Sequence, residues 1–397
     1  MIVMVVAMLS SFMATLLLGR SLSIEDFGEF TLLRQVILIG ATVSVFGLDF
    51  SYIKLFPGDD QTDKTPHWIT FSIVFFAGII FSLLMNAIYF RDTEKFLYIA
   101  VITIFSGLGL YLAAIKRLEE QFVLAQLLAG GWKILFLIGI SIFLIYARPL
   151  SIISIYQVLA ISVAILSSYF FKYLVQSGSS LSWKPSYRKY LTMGLTFWLI
   201  NSTGLFAGGI DKLMIPLVYG QEMLGIFAGS SFVFTISLTM IGSAIGYVIF
   251  PRISKGLDVN KKSLVQGVTG VAILSIVGFQ MLGKVLVHLI FDGKYDEYLT
   301  TLLIFFFTLL GIMQIVHIIL HYLISATSTQ RQLLYYWGLS IGFILLFVLA
   351  IILATSFVSS SLLSLVAIIL LTRLFKIVAM YRLYRFIECS QFEGTHA

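Results

Sequence analysis

Residues 299–325 read LTTLLIFFFTLLGIMQIVHIILHYLIS, without one aspartate, glutamate, lysine or arginine. An α-helix rises about 1.5 Å per residue, so about 20 such residues cross the ~30 Å hydrocarbon core of a bilayer. The stretch therefore predicts a membrane span. Comparable windows lie near 1–19, 30–52, 68–90, 97–115, 122–146, 150–171, 191–210, 224–250, 265–290, 332–356 and 360–383. Together they predict an all-α polytopic membrane protein with about twelve transmembrane helices.

Composition agrees. Hydrophobic residues make up 59% of the chain and charged residues 11%, and the mean hydropathy is +1.01. A soluble fold cannot hide that much apolar surface, so lipid must be the solvent for most of it. The charges sit in short segments between windows, which leaves no room for a soluble domain. The net charge of +7 is spread over span ends instead of forming a basic stripe, which excludes nucleic acid as a partner. Cys389 is the only cysteine, so neither a disulfide nor a cysteine metal cluster is expected, and nothing points to a cofactor. Residues 1–19 lack a basic lead-in, and Arg20-Ser21-Leu22-Ser23 makes a poor cleavage site, so this stretch reads as the first span.

Cytoplasmic loops collect lysine and arginine, which orients the spans. With the N-terminus in the cytoplasm, Lys54, Lys64, Lys116, Arg117, Lys172, Lys184, Arg188, Lys189, Arg252, Lys255, Lys261, Lys262, Arg331, Arg373, Lys376, Arg382 and Arg385 fall inside. The outer set is smaller: Arg20, Arg91, Lys95, Arg148, Lys212, Lys284 and Lys294. Arg34 and Lys133 remain within spans. Both termini are expected in the cytoplasm.

The chain also repeats itself. Glu25-Asp26-Phe27-Gly28-Glu29-Phe30 follows the first span and Glu222-Met223-Leu224-Gly225-Ile226-Phe227 follows the seventh, while Phe56-Pro57 ends the second and Phe250-Pro251 ends the eighth. Both pairs are separated by nearly the same interval, about half the chain. This spacing predicts a duplicated six-helix unit inserted twice in the same direction, with a central cavity at the interface. The expected division is a bundle over 1–174, a linker over 175–190 and a second bundle over 191–397.

Leu18-Gly19-Arg20-Ser21-Leu22 and the Glu25–Phe30 segment resemble the opening of Wzx-type polysaccharide-unit flippases. That family shares a superfamily with the lipid II flippases and the multidrug and toxin extrusion (MATE) transporters. Asp211-Lys212-Leu213, Gly225-Ile226-Phe227, Phe250-Pro251-Arg252-Ile253-Ser254 and Phe291-Asp292-Gly293-Lys294-Tyr295 fall where such proteins carry comparable segments, making Arg20, Gly28, Asp211, Gly225 and Pro251 family-motif positions. Asp292, where the family often has glycine, departs from the pattern.

The resemblance implies a flippase of the bacterial inner membrane that moves an isoprenoid-pyrophosphate-linked oligosaccharide by alternating access. It also implies membrane lipids, a glycan polymerase and chain-length proteins as partners. The competing readings are a MATE-type antiporter and a membrane glycan polymerase or glycosyltransferase. The first span holds no carboxylate for cation coupling, and the outer loops are short, so the flippase is favoured over both and no enzyme activity is expected.

Several polar residues inside spans are candidate cavity lining. Lys133 lies roughly 16 Å into the fifth span, where a cation costs about 2.5–3.5 kcal/mol on insertion scales, so it should face a cavity or a partner unless its helix starts later and it snorkels. Arg34 lies roughly 6 Å inside the second span and either snorkels outward or turns its planar fork inward toward an anion. Asp49 is expected about 60° around the same helix. Gln314, His317, His321 and Ser325 form one polar stripe on the tenth span, suited to a cavity wall, a proton relay or interhelical bonding. Asn201 sits mid-span as a cavity or packing residue. Asp211 and Lys212 are expected to pair with each other or with water. No metal site is expected.

Overall fold

The computed structural model describes residues 2–56, 65–146, 150–175, 184–254, 260–328, 330–357 and 361–394. Every element among them is helical. The chain divides into two compact units, Met1–Phe206 and Ala207–Ala397. This division falls later than the expected linker, much of which (176–183) lies outside the described residues.

The first unit holds α1 (Ile2–Ser21), α2 (Ile24–Val45), α3 (Leu48–Leu55), α4 (Thr65–Met85), α5 (Thr93–Leu118), α6 (Phe122–Gly130), α7 (Trp132–Tyr146), α8 (Ile152–Ser167) and α9 (Phe170–Val175). α10 (Pro185–Ser254) runs from this unit into the second, which adds α11 (Lys261–Phe291), α12 (Thr301–Thr327), α13 (Gln330–Phe357) and α14 (Leu362–Gly394). Among the described residues ten helices are long and apolar enough to cross a membrane. The stretch Pro185–Gly246 among them is 62 residues long, about three bilayer thicknesses, and it breaks at Gly220 (φ 87°, ψ 168°). With its two arms counted separately, and the bent pair α6 and α7 counted as one, the passes number twelve.

Local chemistry explains where these helices begin. The Ser23 hydroxyl accepts the Asp26 N–H at 3.0 Å, while Glu25 and Asp26 sit in the positive first turn of α2. Asp92, Ser151, Asn260 and Thr300 cap α5, α8, α11 and α12 in the same way. The repeat is visible in the packing. Phe27 and Phe30 open α2 at 1% exposure each, and Leu224 and Phe227, just past the Gly220 break, are at 0% and 4%. Pro57 lies outside the described residues, and of Phe250 and Pro251 only the helical backbone is described.

Three passes of the first unit are broken. α2 ends in a left-handed turn at Phe46 and Gly47 (φ 54° and 67°) before α3 begins. α6 and α7 meet at 47°, and α8 gives way to α9 after Ser168. A Cβ at Gly47 would strike the Gly194 carbonyl oxygen and come within 2.7 Å of the Trp198 nitrogen. Elsewhere a Gly→Ala change often stabilises by restricting the unfolded chain. Here the left-handed φ alone costs about 1–2 kcal/mol, so Gly47→Ala should lower the thermal unfolding midpoint of the detergent-solubilised protein. A midpoint at or above the parent's would show that this break relaxes freely.

The first unit packs around Val74, Tyr111, Leu112 and Phe170. The second packs around Leu320, Ile324, Tyr336 and Met380, with a neighbouring group at Leu238, Ile315 and Ile319. Outward faces are apolar, as at Phe76 (64% exposed), Leu274 (75%) and Met281 (75%). Lipid satisfies such faces, and this is an integral membrane protein.

Candidate functional site

Each unit places basic side chains deep within its apolar helices, and the two sets are treated differently by their surroundings.

In the first unit Arg34 lies ten residues past the start of α2, roughly 15 Å along it. α2 begins at Ile24, six residues before the expected opening of the second span at 30, so Arg34 lies further along its helix than that window implies. Its Nη1 donates to the Thr15 hydroxyl of α1 at 2.6 Å, and its guanidinium lies 5.8 Å from the Phe30 ring. Thr15 in turn donates to the Ser11 carbonyl at 2.7 Å, which fixes the acceptor that holds the guanidinium. Lys133 is the second residue of α7, immediately past the break at Gly131. Depth counted along one straight fifth helix therefore does not describe it. Its Nζ lies 5.7 Å from the Trp132 ring, and it is close enough to Arg34 for the two positive charges to repel. Among the described residues neither cation has a carboxylate partner.

Nearby cations are handled otherwise. Lys95 lies 2.7 Å from Glu29, whose same oxygen accepts the Tyr156 hydroxyl at 2.9 Å. Lys116 pairs with Glu119 at 2.5 Å. Lys95 and Lys116 thus each have an acid, and among the described residues Arg34 and Lys133 have none. Two uncompensated like charges among apolar helices are costly, and an anion is the ligand that relieves them. Asp49 does not serve as their counterion from the same helix, because the break at Phe46 and Gly47 puts it on α3.

In the second unit the arrangement is a network. Arg373 of α14 donates from Nη2 to Asp211 at 2.8 Å and from Nη1 to the Gln314 side-chain oxygen at 3.1 Å. Asp211 is 3% exposed, so water is not its partner, and the partner of its Oδ2 is Arg373. Lys376, one turn beyond Arg373, is 4% exposed and lies 4.7 Å over the Phe343 ring. Beside this network Gln314, His317, Phe343, Arg373 and Lys376 line a narrow cleft, with Ala207 and Gly208 on α10.

The expected stripe on the tenth span divides. Gln314 and His317 reach the cleft, whereas His321 is not among its lining residues and pairs with the Tyr336 hydroxyl at 3.0 Å. Arg373 and Lys376, counted above as cytoplasmic charge, lie instead in the body of α14 facing Asp211. The signal was present, since both fall inside the window 360–383. Asn201 is half-buried on α10 and borders no such cleft. Arg20 is exposed in the last turn of α1, while Gly28 and Gly225 are buried in the first turns of the second and eighth passes.

Residues 17–300 match the sequence model of a family described as polysaccharide biosynthesis protein. No curated protein matches the chain. Among solved structures, a multidrug resistance MATE family transporter of the MOP superfamily in an inward-facing conformation superposes with a TM-score of 0.67 at 12% identity, covering 96% of this chain and 95% of that one. The lipid II flippase MurJ in an inward closed conformation gives 0.67 at 13% identity, over 98% of this chain and 87% of its own. A MATE protein in a bent conformation gives 0.60 at 13% identity, over 100% and 95%. At these identities the likeness establishes the shared fold.

Proposed function

Since the chain belongs to the polysaccharide biosynthesis protein family, we propose that it is a flippase of the bacterial inner membrane, carrying isoprenoid-pyrophosphate-linked oligosaccharide units across by alternating access for surface polysaccharide assembly. O-antigen, capsule and exopolysaccharide all use units of this kind. The observation that carries the reading is Arg34 and Lys133, two cations of the first unit's apolar helices that have no carboxylate partner among the described residues. A pyrophosphate head group must cross a region where bare charge is expensive, and fixed cations offset part of that cost. Arg34 offers a planar set of donors matched to phosphate oxygens, of which Thr15 occupies one, and Lys133 adds a compact point charge.

In this reading both termini are cytoplasmic, and a glycan polymerase with chain-length proteins receives the glycan on the far side. The MATE likeness is as close in fold as the MurJ likeness, so the site chemistry separates the two readings. A drug antiporter for cations needs a membrane-embedded carboxylate for coupling, and Arg34 and Lys133 suit an anion instead.

Purified protein in vesicles should make an isoprenoid-pyrophosphate oligosaccharide accessible to a membrane-impermeant glycosidase from the opposite leaflet, and should leave the distribution of a lipophilic cationic dye unchanged. Movement of the dye without movement of the lipid would transfer the chain to the antiporter reading.

A further inference from the structure

The second unit's cleft is not accounted for by a pyrophosphate bound at Arg34 and Lys133. Its donors and acceptors are sorted in an unusual way. Arginine can only donate, so the Gln314 oxygen at 3.1 Å from Arg373 must face it. The Gln314 NH₂ is left as the group available to a ligand. Asp211 spends its Oδ2 on the same guanidinium at 2.8 Å, and its other oxygen is buried without a hydrogen bond. With the acceptors turned toward Arg373, the cleft wall presents the Gln314 amide, the His317 ring and the Lys376 ammonium.

Charge points the same way. Asp211 is the one carboxylate in the network and its hydrogen bond goes to Arg373, so Lys376, buried to 4% exposure, has the Phe343 ring against it and no carboxylate bonded to it. The wall is open at Gly208, where a Cβ would meet nothing within 4 Å. The cleft lies in the body of the helices, with Arg373 roughly 17 Å along α14 and Asp211 roughly 14 Å before the Gly220 break.

We propose that this cleft binds the carboxylate of an acidic sugar, so that the glycan moved by this protein is itself anionic. The proposal rests on the flippase reading and adds to it a second recognition site within the second unit. Lys376 contributes the charge, Gln314 and His317 contribute directional donors, and the Asp211 to Arg373 pair holds Gln314 in the donating orientation. A neutral glycan would leave Lys376 uncompensated and the Gln314 donors unmet, which is how the site discriminates.

The test uses two lipid-linked oligosaccharides of identical length, one carrying a uronic acid and the other the same sugar with its carboxyl reduced to an alcohol. In vesicles Lys376→Gln should slow transport of the acidic lipid about tenfold or more and leave the neutral lipid within about twofold of the parent rate, while Lys376→Arg should keep most transport of both. Equal loss for both lipids would show that Lys376 serves the shared pyrophosphate or the fold, and no loss for either would show that it serves no ligand. Both results overturn the proposal. A parent that moves neither lipid overturns the flippase reading, and this proposal with it. A second measurement needs no variant: free glucuronate should raise the thermal unfolding midpoint of the purified parent more than glucose does at matched ionic strength. Equal shifts overturn the site directly.

Discussion

Lys133→Ala should lose most lipid-linked oligosaccharide transport, about tenfold to a hundredfold, while the purified protein becomes no less stable. The transport loss follows from removing a charge-assisted contact to the pyrophosphate, worth about 1.5–3 kcal/mol. The stability result follows from the geometry, because Lys133 and Arg34 repel each other with no acid nearby. Removing one cation relieves that repulsion, and the unfolding midpoint should stay level or rise.

Opposite signs in function and stability are what a site maintained for a ligand produces. A merely structural lysine would lose both together. Arg34→Ala should show the same pairing, softened because the Thr15 hydroxyl then loses its donor. The double variant should be worse in transport than either single one, and Lys133→Arg should retain a substantial part. If Lys133→Ala transports as well as the parent, the two cations do not carry the head group and the antiporter reading gains.

Asp211→Ala should destabilise the second unit by about 3–5 kcal/mol, because breaking a buried pair leaves an uncompensated charge. Here the damage is compounded, since Arg373 and the nearby Lys376 would both stand among apolar helices without an acid. The expected result is a protein that inserts but aggregates on detergent extraction, or melts well below the parent.

The decisive variant is the double one. Replacing Asp211 by alanine and Arg373 by methionine removes both charges and keeps most of the arginine's volume, and such replacements are often neutral for stability. Thermal unfolding of the four proteins, parent, two singles and double, isolates the coupling. A double variant as unstable as Asp211→Ala alone would show that Asp211 supports the helices by something other than compensating Arg373.

Much of the fold was legible from the chain because membrane helices advertise themselves. Window length, absence of charge and the loop distribution of lysine and arginine carry the span pattern without any knowledge of packing, and the repeated Glu-Asp-Phe-Gly and Glu-Met-Leu-Gly segments mark where a new pass begins in each half. The breaks were not legible. Phe46 and Gly47 look like one more apolar residue and one more glycine, and only the neighbouring backbone of residues 194–198 shows that the second position has no room for a Cβ.

The site was half legible for the same reason. Lys133 and Arg34 stood out because each is a cation in a span, but nothing in sequence says that α2 and α7 bring them together. Arg373 and Lys376 were misread because a rule about loops was applied to residues whose own window placed them inside a helix. The sequence distance from Asp211 to Arg373 then hid the pair that organises the second unit.

The seventh pass has a consequence for how the protein is made. Residues up to Phe206 belong to the first unit, and they complete its interior: Tyr190 accepts the Ser51 hydroxyl at its carbonyl (2.7 Å) and shares a hydrogen with Thr70 (2.7 Å), while the Trp198 indole caps the Val43 carbonyl at 3.0 Å. A nascent chain that has released only its first six passes therefore carries an open seam beside α3, where Ser51, Thr70 and the Val43 carbonyl still lack these partners. Closure waits for the ribosome to deliver the opening stretch of α10. Translation timing is thereby written into assembly, and a pause just after the sixth helix would hold the half-built unit in its most vulnerable state.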